Sequence, residues 1–158
     1  MTAELGKKAP LLNLLASADR KPVNLEGFKG KKVVVAFVPG AFTGVCTKEL
    51  CTFRDSIARF NTMNAQVLAV SVDPAFSQKA WADQNKLNFP VLSDYNREAV
   101  KAWGVELPNF VGMPGYTTAK RSVFVIDTQG NVAYRWVSDN PSIEPNYDEV
   151  AQAVEKAK

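Results

Sequence analysis

The chain has 158 residues, 46% of them hydrophobic, which suits one domain over residues 1–158 with a core of its own. Its 19 Lys and Arg against 16 Asp and Glu leave a net charge of +3, spread without a basic run or interleaved aromatics, so no nucleic-acid partner is expected. Histidine is absent, which removes Ser-His-Asp and Cys-His catalysis, and two cysteines leave little from which to build a zinc site.

Residues 1–8 contain no apolar signal-like core, and no later stretch approaches 18 uninterrupted apolar residues. The expectation is a cytoplasmic protein with no membrane segment, a setting in which two cysteines favour redox or catalytic use over a structural framework. Leu11, Leu12, Leu14 and Leu15, followed by the polar residues 17–21, predict an N-terminal hairpin that covers a sheet edge. Residues 25–30 predict a short turn or helical piece. Residues 33–38 form a nearly unbroken apolar run rich in β-branched side chains, the pattern of a central strand covered on both faces. Pro39 and Gly40 end it. Thr43 is a good N-cap, and Val45, Leu50, Phe53, Ile57 and Phe60 carry apolar groups at helical spacing to about Asn61.

A second buried strand over 66–72 completes a β-α-β unit, whose strands should lie parallel with a right-handed crossover. Asp73 and Pro74 open a helix over 75–85 with Phe76, Ala80 and Trp81 on one face. A short strand at 89–92 and a helix at 97–103, capped by 93–96, come next. Residues 107–118 form a loop of unusual apolar content (Phe110, Val111, Met113, Tyr116), either tucked into the core or exposed as a rim or interface. Strands at 122–126 and 132–137 make a hairpin. A last helix runs from Tyr147 to about Ala157, with Val150, Ala153 and Val154 on one side. This order predicts an α/β, thioredoxin-like fold: a central mixed β-sheet flanked by helices, with the N-terminal hairpin added.

Both cysteines lie just after the central strand. With Thr43 as N-cap, Cys46 is the third helical residue, where unpaired N–H groups and the positive end of the helix dipole favour a thiolate. A free thiol there should titrate lower than an ordinary one. The Thr43 hydroxyl has two candidate partners, a backbone N–H and the sulfur. The plain alternative for Cys46 is a small buried hydrophobe.

The run Pro39-Gly40-Ala41-Phe42-Thr43-Gly44-Val45-Cys46, with Glu49 following, resembles the active-site signature of the peroxiredoxins, in which a proline, a threonine and the peroxidatic cysteine stand at these spacings. Residues 6–10 and 25–32 resemble that family's opening segments, and Arg121 with residues 122–127 its later arginine and strand. Cys51, five residues after Cys46, is similar to the bacterioferritin-comigratory (PrxQ) subgroup, while residues 41–46 with Glu49 and Leu50 are also similar to the AhpE-like branch. The resemblance implies a cofactor-free, thiol-dependent peroxidase acting on hydrogen peroxide and organic hydroperoxides. Cys46 would attack the peroxide, Arg121 would sit beside it and stabilise thiolate and transition state, and Pro39 would shield the sulfur. Glu49 would orient the arginine, or else be a solvated helix residue. The resulting sulfenic acid would be resolved by Cys51 as a disulfide and recycled by a thioredoxin-like or other thiol reductant; alternatively Cys51 is a core thiol and an external thiol does the resolving. On an intact helix the two Cα atoms would stand roughly 8.6 Å apart, beyond the reach of about 7 Å for a disulfide, so pairing requires the first turns to unwind. A homodimer using the 107–116 loop is also implied. Two other readings stay open. A disulfide oxidoreductase of the same fold would want Cys-x-x-Cys at this junction, and a non-catalytic binding module would tolerate any residue at position 46.

Overall fold

Strand β3, Lys32–Phe37, has a hydrophobic residue at nearly every position because both of its faces are covered. The computed structural model describes residues 2–158; Met1, included in the one-domain expectation, lies outside them. β3 runs parallel to β4 (Ala65–Ser71), which runs parallel to β5 (Val91–Ser93). On its other side β3 pairs antiparallel with β8 (Ser122–Ile126), and β8 with β9 (Val132–Val137), giving the expected hairpin with one register shift between Val125 and Ile126. The N-terminal hairpin, β1 (Asn13–Ala16) and β2 (Pro22–Asn24), joins the sheet through β1 and β5. The mixed sheet therefore has seven strands in the order β2-β1-β5-β4-β3-β8-β9, with β2 at the edge as expected. A separate two-stranded sheet, β6 (Glu106–Leu107) and β7 (Thr118–Ala119), closes off the 107–118 loop.

The two-residue period of the strands divides the core in two. Val33, Val35 and Phe37 join Leu68, Val70, Leu92 and Phe124 on one side, closed by Trp103 after helix α4 (Glu98–Ala102). Val34 and Ala36 join Val67, Ala69, Val123 and Val125 on the other. That side is closed by α1 (Gly44–Asp55), α2 (Ile57–Thr62), α3 (Ala75–Gln84) and α5 (Tyr147–Lys156) through Leu50, Phe53, Phe60, Trp81, Val150 and Val154.

Several boundaries differ from the sequence expectation. The helix predicted to reach Asn61 breaks at Ser56 (φ −101°, ψ 4°), whose amide is shared between the Thr52 and Phe53 carbonyls. In α3 the inward face is Gln78 and Trp81, not Phe76 and Ala80: Phe76 is 71% exposed and lies under the Arg20 guanidinium, 5.3 Å from its ring centroid. The Gln78 amide donates to the Leu92 carbonyl and the Ser71 hydroxyl, both at 2.8 Å, so a buried polar anchor decides the face that apolar spacing misassigned. Helix α4 is capped from four residues upstream, the Asp94 carboxylate accepting the amides of Ala99 (3.0 Å) and Val100 (2.9 Å), because Arg97 takes a left-handed conformation. In the 107–118 loop Val111 and Met113 are exposed rather than tucked in.

Trp103 packs 5.0 Å from Phe124 and 5.5 Å from Phe37 between ring centroids, and its indole N–H donates to the Leu11 carbonyl. Trp103→Ala should cost about 3–5 kcal/mol through the cavity it leaves. Urea unfolding of the variant checks this, and a loss below about 1 kcal/mol would mean that the far core repacks around the gap.

Candidate active site

Past the end of β3 the chain turns sharply and is tied down at successive residues. Thr118 in β7 donates its hydroxyl to the Pro39 carbonyl. The Thr43 hydroxyl donates to the Gly40 carbonyl at 2.7 Å. The Ala41 amide donates to the Asp73 carboxylate at 2.8 Å, and the Ser71 hydroxyl holds that same oxygen at 2.7 Å. These ties hold Phe42 in the left-handed region (φ 63°), which a bulky residue adopts at a cost of about 1–3 kcal/mol. Its ring is half exposed and lies 6.5 Å from that of Trp81.

Thr43 is the N-cap residue expected, with extended backbone, but its side chain makes no cap hydrogen bond because the Gly40 carbonyl takes its proton. Helix α1 begins at Gly44, so Cys46 is the third helical residue. Arg121 reaches it from the neighbouring strand: Ser122 is paired with Phe37, and the residue before it therefore lies alongside the turn that follows β3. The guanidinium is 2% exposed and makes four hydrogen bonds. Nη2 donates to the Cys46 sulfur at 3.1 Å, Nη1 to Glu49 Oε1 at 2.9 Å, and Nε and Nη2 to the Pro141 carbonyl at 3.0 and 2.9 Å. Cys46 and Glu49 are both wholly buried.

Burial reverses the sequence expectation for Cys46. It pushes the thiol up from its usual range, and the Arg121 charge, the Thr43 hydroxyl and the Gly40 amide, each pulling down, do not cancel it. The helix terminus was legible in the sequence; the closed pocket was not. Burial also pushes Glu49 up to about 7, against the pull of Arg121. Arg121 itself is held charged: burial opposes the cation, but Cys46 and Glu49 together outweigh it. The two partners of the ion pair thus point opposite ways for a geometric reason. Arg121 is served by three acceptors, whereas Glu49 has this one donor, its Oε2 having no hydrogen-bond partner among the described residues. Cys46 and Glu49 thus face the same Arg121 cation from within one buried site.

A profile of the AhpC/TSA family matches residues 5–135, which include every residue of this constellation except Pro141. The chain belongs to the AhpC/TSA family, the peroxiredoxins. Over 120 residues this peroxiredoxin is 41% identical to "Peroxiredoxin Q, chloroplastic" of Triticum aestivum, covering 76% of the chain and 53% of the relative. Over 162 residues it is 35% identical to "Thioredoxin peroxidase" of Trypanosoma brucei rhodesiense, covering 96% and 78%. It thus spans little more than half the length of several curated relatives it matches. A crystal structure of a peroxiredoxin-like protein from Aquifex aeolicus superposes with a TM-score of 0.86 at 30% identity, covering 99% of this chain and 88% of that one. The expected α/β, thioredoxin-like fold with a mixed sheet is borne out.

Thr43, Cys46, Glu49 and Arg121 are brought together in this peroxiredoxin, Pro39 lies buried at the start of the same turn with its carbonyl on Thr118, and Cys51 stands apart. It is a free thiol on the same unbroken helix, partly buried, with its sulfur 3.7 Å from Asn85 Oδ1. Sequence reasoning missed Asp73, taken only as a helix opener. Its position just past β4, which ends beside β3, was the available signal. The Pro141 carbonyl had no signal, being backbone in a coil. Nor did Thr47, whose hydroxyl accepts from the Trp81 indole at 2.9 Å. No described residues form a cluster of three side chains suited to a metal ion; no helix is long and apolar enough to cross a membrane.

Glu49 ionises near 7 in the folded chain against an ordinary 4.5, so folding takes up a proton between those values. Its contribution to stability is therefore full below about pH 4.5 and is lost as pH rises through 7, a loss on the order of 3 kcal/mol. Urea midpoints measured from pH 4.5 to 8 should fall across this window, and Glu49→Gln should flatten the slope. An equal slope in the variant would assign the titration to other groups.

Proposed function

We propose that the chain is a thiol-dependent peroxidase that reduces hydrogen peroxide and organic hydroperoxides at Cys46. The observation that carries this reading is a buried sulfur in the first turn of a helix, 3.1 Å from a buried guanidinium. The Cys46 thiolate attacks one peroxide oxygen, the O–O bond breaks, and the other oxygen leaves as water or alcohol, with the sulfur left as sulfenic acid. Arg121 donates to the thiolate and to the charge that develops on the oxygens, and the enclosed setting makes those contacts worth more than they are in water. Glu49 holds the guanidinium plane. When it is protonated, the Cys46 thiolate is the counter-ion left for Arg121. Thr43 has one proton, spent on Gly40 in the resting site and free to turn toward an ionised sulfur or a bound peroxide. Pro39, buried and without an N–H, shields the sulfur without competing for it.

Cys51 then resolves the sulfenic acid as a disulfide that a thioredoxin-like or other thiol reductant reopens. The chemistry needs no cofactor, since sulfur supplies the electrons and external thiols return them. The name of the trypanosomal relative, thioredoxin peroxidase, supports this class of reductant, and a reducing cytoplasm suits it; the wheat relative's name places that protein in the chloroplast. A homodimer through the exposed Val111 and Met113 completes the reading.

Cys46→Ser should abolish peroxide consumption, which a binding module would not show, and Arg121→Met should slow the first oxidation by about 10²–10³-fold. Stopped-flow tryptophan fluorescence measures both. A wild-type rate in Arg121→Met sinks the electrostatic account. Sedimentation of the reduced protein should give a dimer that Val111→Asp with Met113→Asp dissociates; a monomer at high concentration in both redox states removes the dimer.

A further inference from the structure

Helix α1 is docked on α3 at two places of unequal strength. Near the front, the Trp81 indole donates to the Thr47 hydroxyl, a single hydrogen bond between neutral groups. Near the back, the Arg54 guanidinium donates to the Asn85 carbonyl at 2.6 Å, and Asn88 returns a bond to the Arg54 carbonyl at 3.4 Å. Arg54 is braced in turn by Asp55, Nε to Oδ1 at 2.9 Å. Asn85 is the C-cap of α3, so its carbonyl is one of the helix-terminal acceptors that want a donor, and a cation there also meets the negative end of the dipole. The Asn85 side chain is fixed by its own bond to the Trp81 carbonyl at 2.9 Å, leaving Oδ1 to accept the Cys51 S–H at 3.7 Å. Between these contacts Phe53 is buried against Phe60 and Tyr147, with ring centroids at 5.9 and 5.6 Å.

We infer that Asn85 and Arg54 are positioning residues that hold Cys51 in place while residues 44–50 unwind to bring Cys46 to it. The inference rests on the disulfide reading and adds what keeps Cys51 in place while the first turns unwind. Oxidation of Cys46 acts on the front alone: the attacking thiolate, held by Arg121 through a charge-assisted bond, becomes a neutral sulfenic acid and that part of the hold is lost, leaving the Arg121–Glu49 and Lys48–Glu144 pairs and the Trp81–Thr47 bond for unwinding to break. The bonds of Arg54, the Asn85–Trp81 bond and the packing of Phe53 do not involve Cys46. The Ala41 amide stays on Asp73, so the released segment is tethered at both ends. At about 3.3 Å per extended residue it has slack to bring the cysteines within disulfide reach. The Cys51 thiol gives up its proton and its sulfur attacks the Cys46 sulfenic sulfur. The S–S bond forms, the S–O bond breaks, and the leaving hydroxide takes a proton to depart as water. A stationary Cys51 raises its effective concentration at the incoming sulfur and so favours this step over a second oxidation.

The test combines amide exchange on the wild-type chain with mass spectrometry of variants. After one equivalent of peroxide, protection should fall across 44–50 and persist across 51–55. Under excess peroxide, the ratio of Cys46 sulfinic acid to Cys46–Cys51 disulfide should rise about tenfold in Arg54→Met and in Asn85→Ala, the scale of losing one charge-assisted bond or the ordering it provides. Arg54→Lys, which can still donate to the Asn85 carbonyl, should restore most of the wild-type ratio; a role in general stability would give no such rescue. Loss of protection at 51–55 equal to that at 44–50, or a wild-type ratio in Arg54→Met, overturns the inference and leaves the disulfide standing. Absence of any Cys46–Cys51 disulfide in the wild type overturns both, while oxidation at Cys46 would still stand.

Discussion

A guanidinium with 2% of its surface exposed needs its charge answered by neighbours rather than water, and the site is arranged around that demand. Arg121 is answered by a helix (Cys46 and Glu49) and by a coil carbonyl (Pro141), and it projects from the strand next to β3. Three segments distant in sequence therefore meet at one cation. Removing a partner from such a buried set usually costs about 3–5 kcal/mol, because the remaining charge has no water to turn to. The same scarcity produces the chemistry. Two acidic groups face one cation inside a buried site, and burial raises the proton affinity of both, so neither behaves as it would on a surface.

The sheet makes that arrangement rigid where rigidity is needed. β3, β4 and β8 are covered on both faces and bonded on both edges, and the register between Phe37 and Ser122 sets Arg121 at the height of the turn bearing Cys46. Beyond β3 the ladder gives way to discrete ties: the turn from Pro39 to Thr43 is held by side chains from two other places, Thr118 and Asp73, and by its own Thr43. A segment held by discrete side-chain bonds can be released in parts, whereas a strand inside a sheet cannot.

Much of this was readable in the amino acids. The apolar run of β3, the Pro-Gly stop, Thr43 before an amphipathic stretch and the hairpin signals each act locally, through backbone sterics and a two- or four-residue period, and all appear where the sequence put them. What was not readable depends on neighbours remote in the chain. Phe76 was placed on the inward face and Gln78 was passed over, because spacing does not reveal that the Leu92 carbonyl and Ser71 await an amide. The end of α1 at Ser56 leaves no compositional mark. Cys46 illustrates the division best: its place on the helix was plain, but its proton affinity is governed by how deeply the pocket closes, a property of the assembled fold.

Phe42 combines a left-handed backbone with a half-exposed ring against Trp81, and substitution acts on both. Glycine would relieve the backbone but discard the ring and loosen the unfolded chain; a β-branched residue would keep bulk and sharpen the strain. For glycine the two effects therefore oppose each other, whereas for a β-branched residue the lost ring and the sharper strain add, so tolerance at position 42 is set by backbone freedom more than by side-chain size.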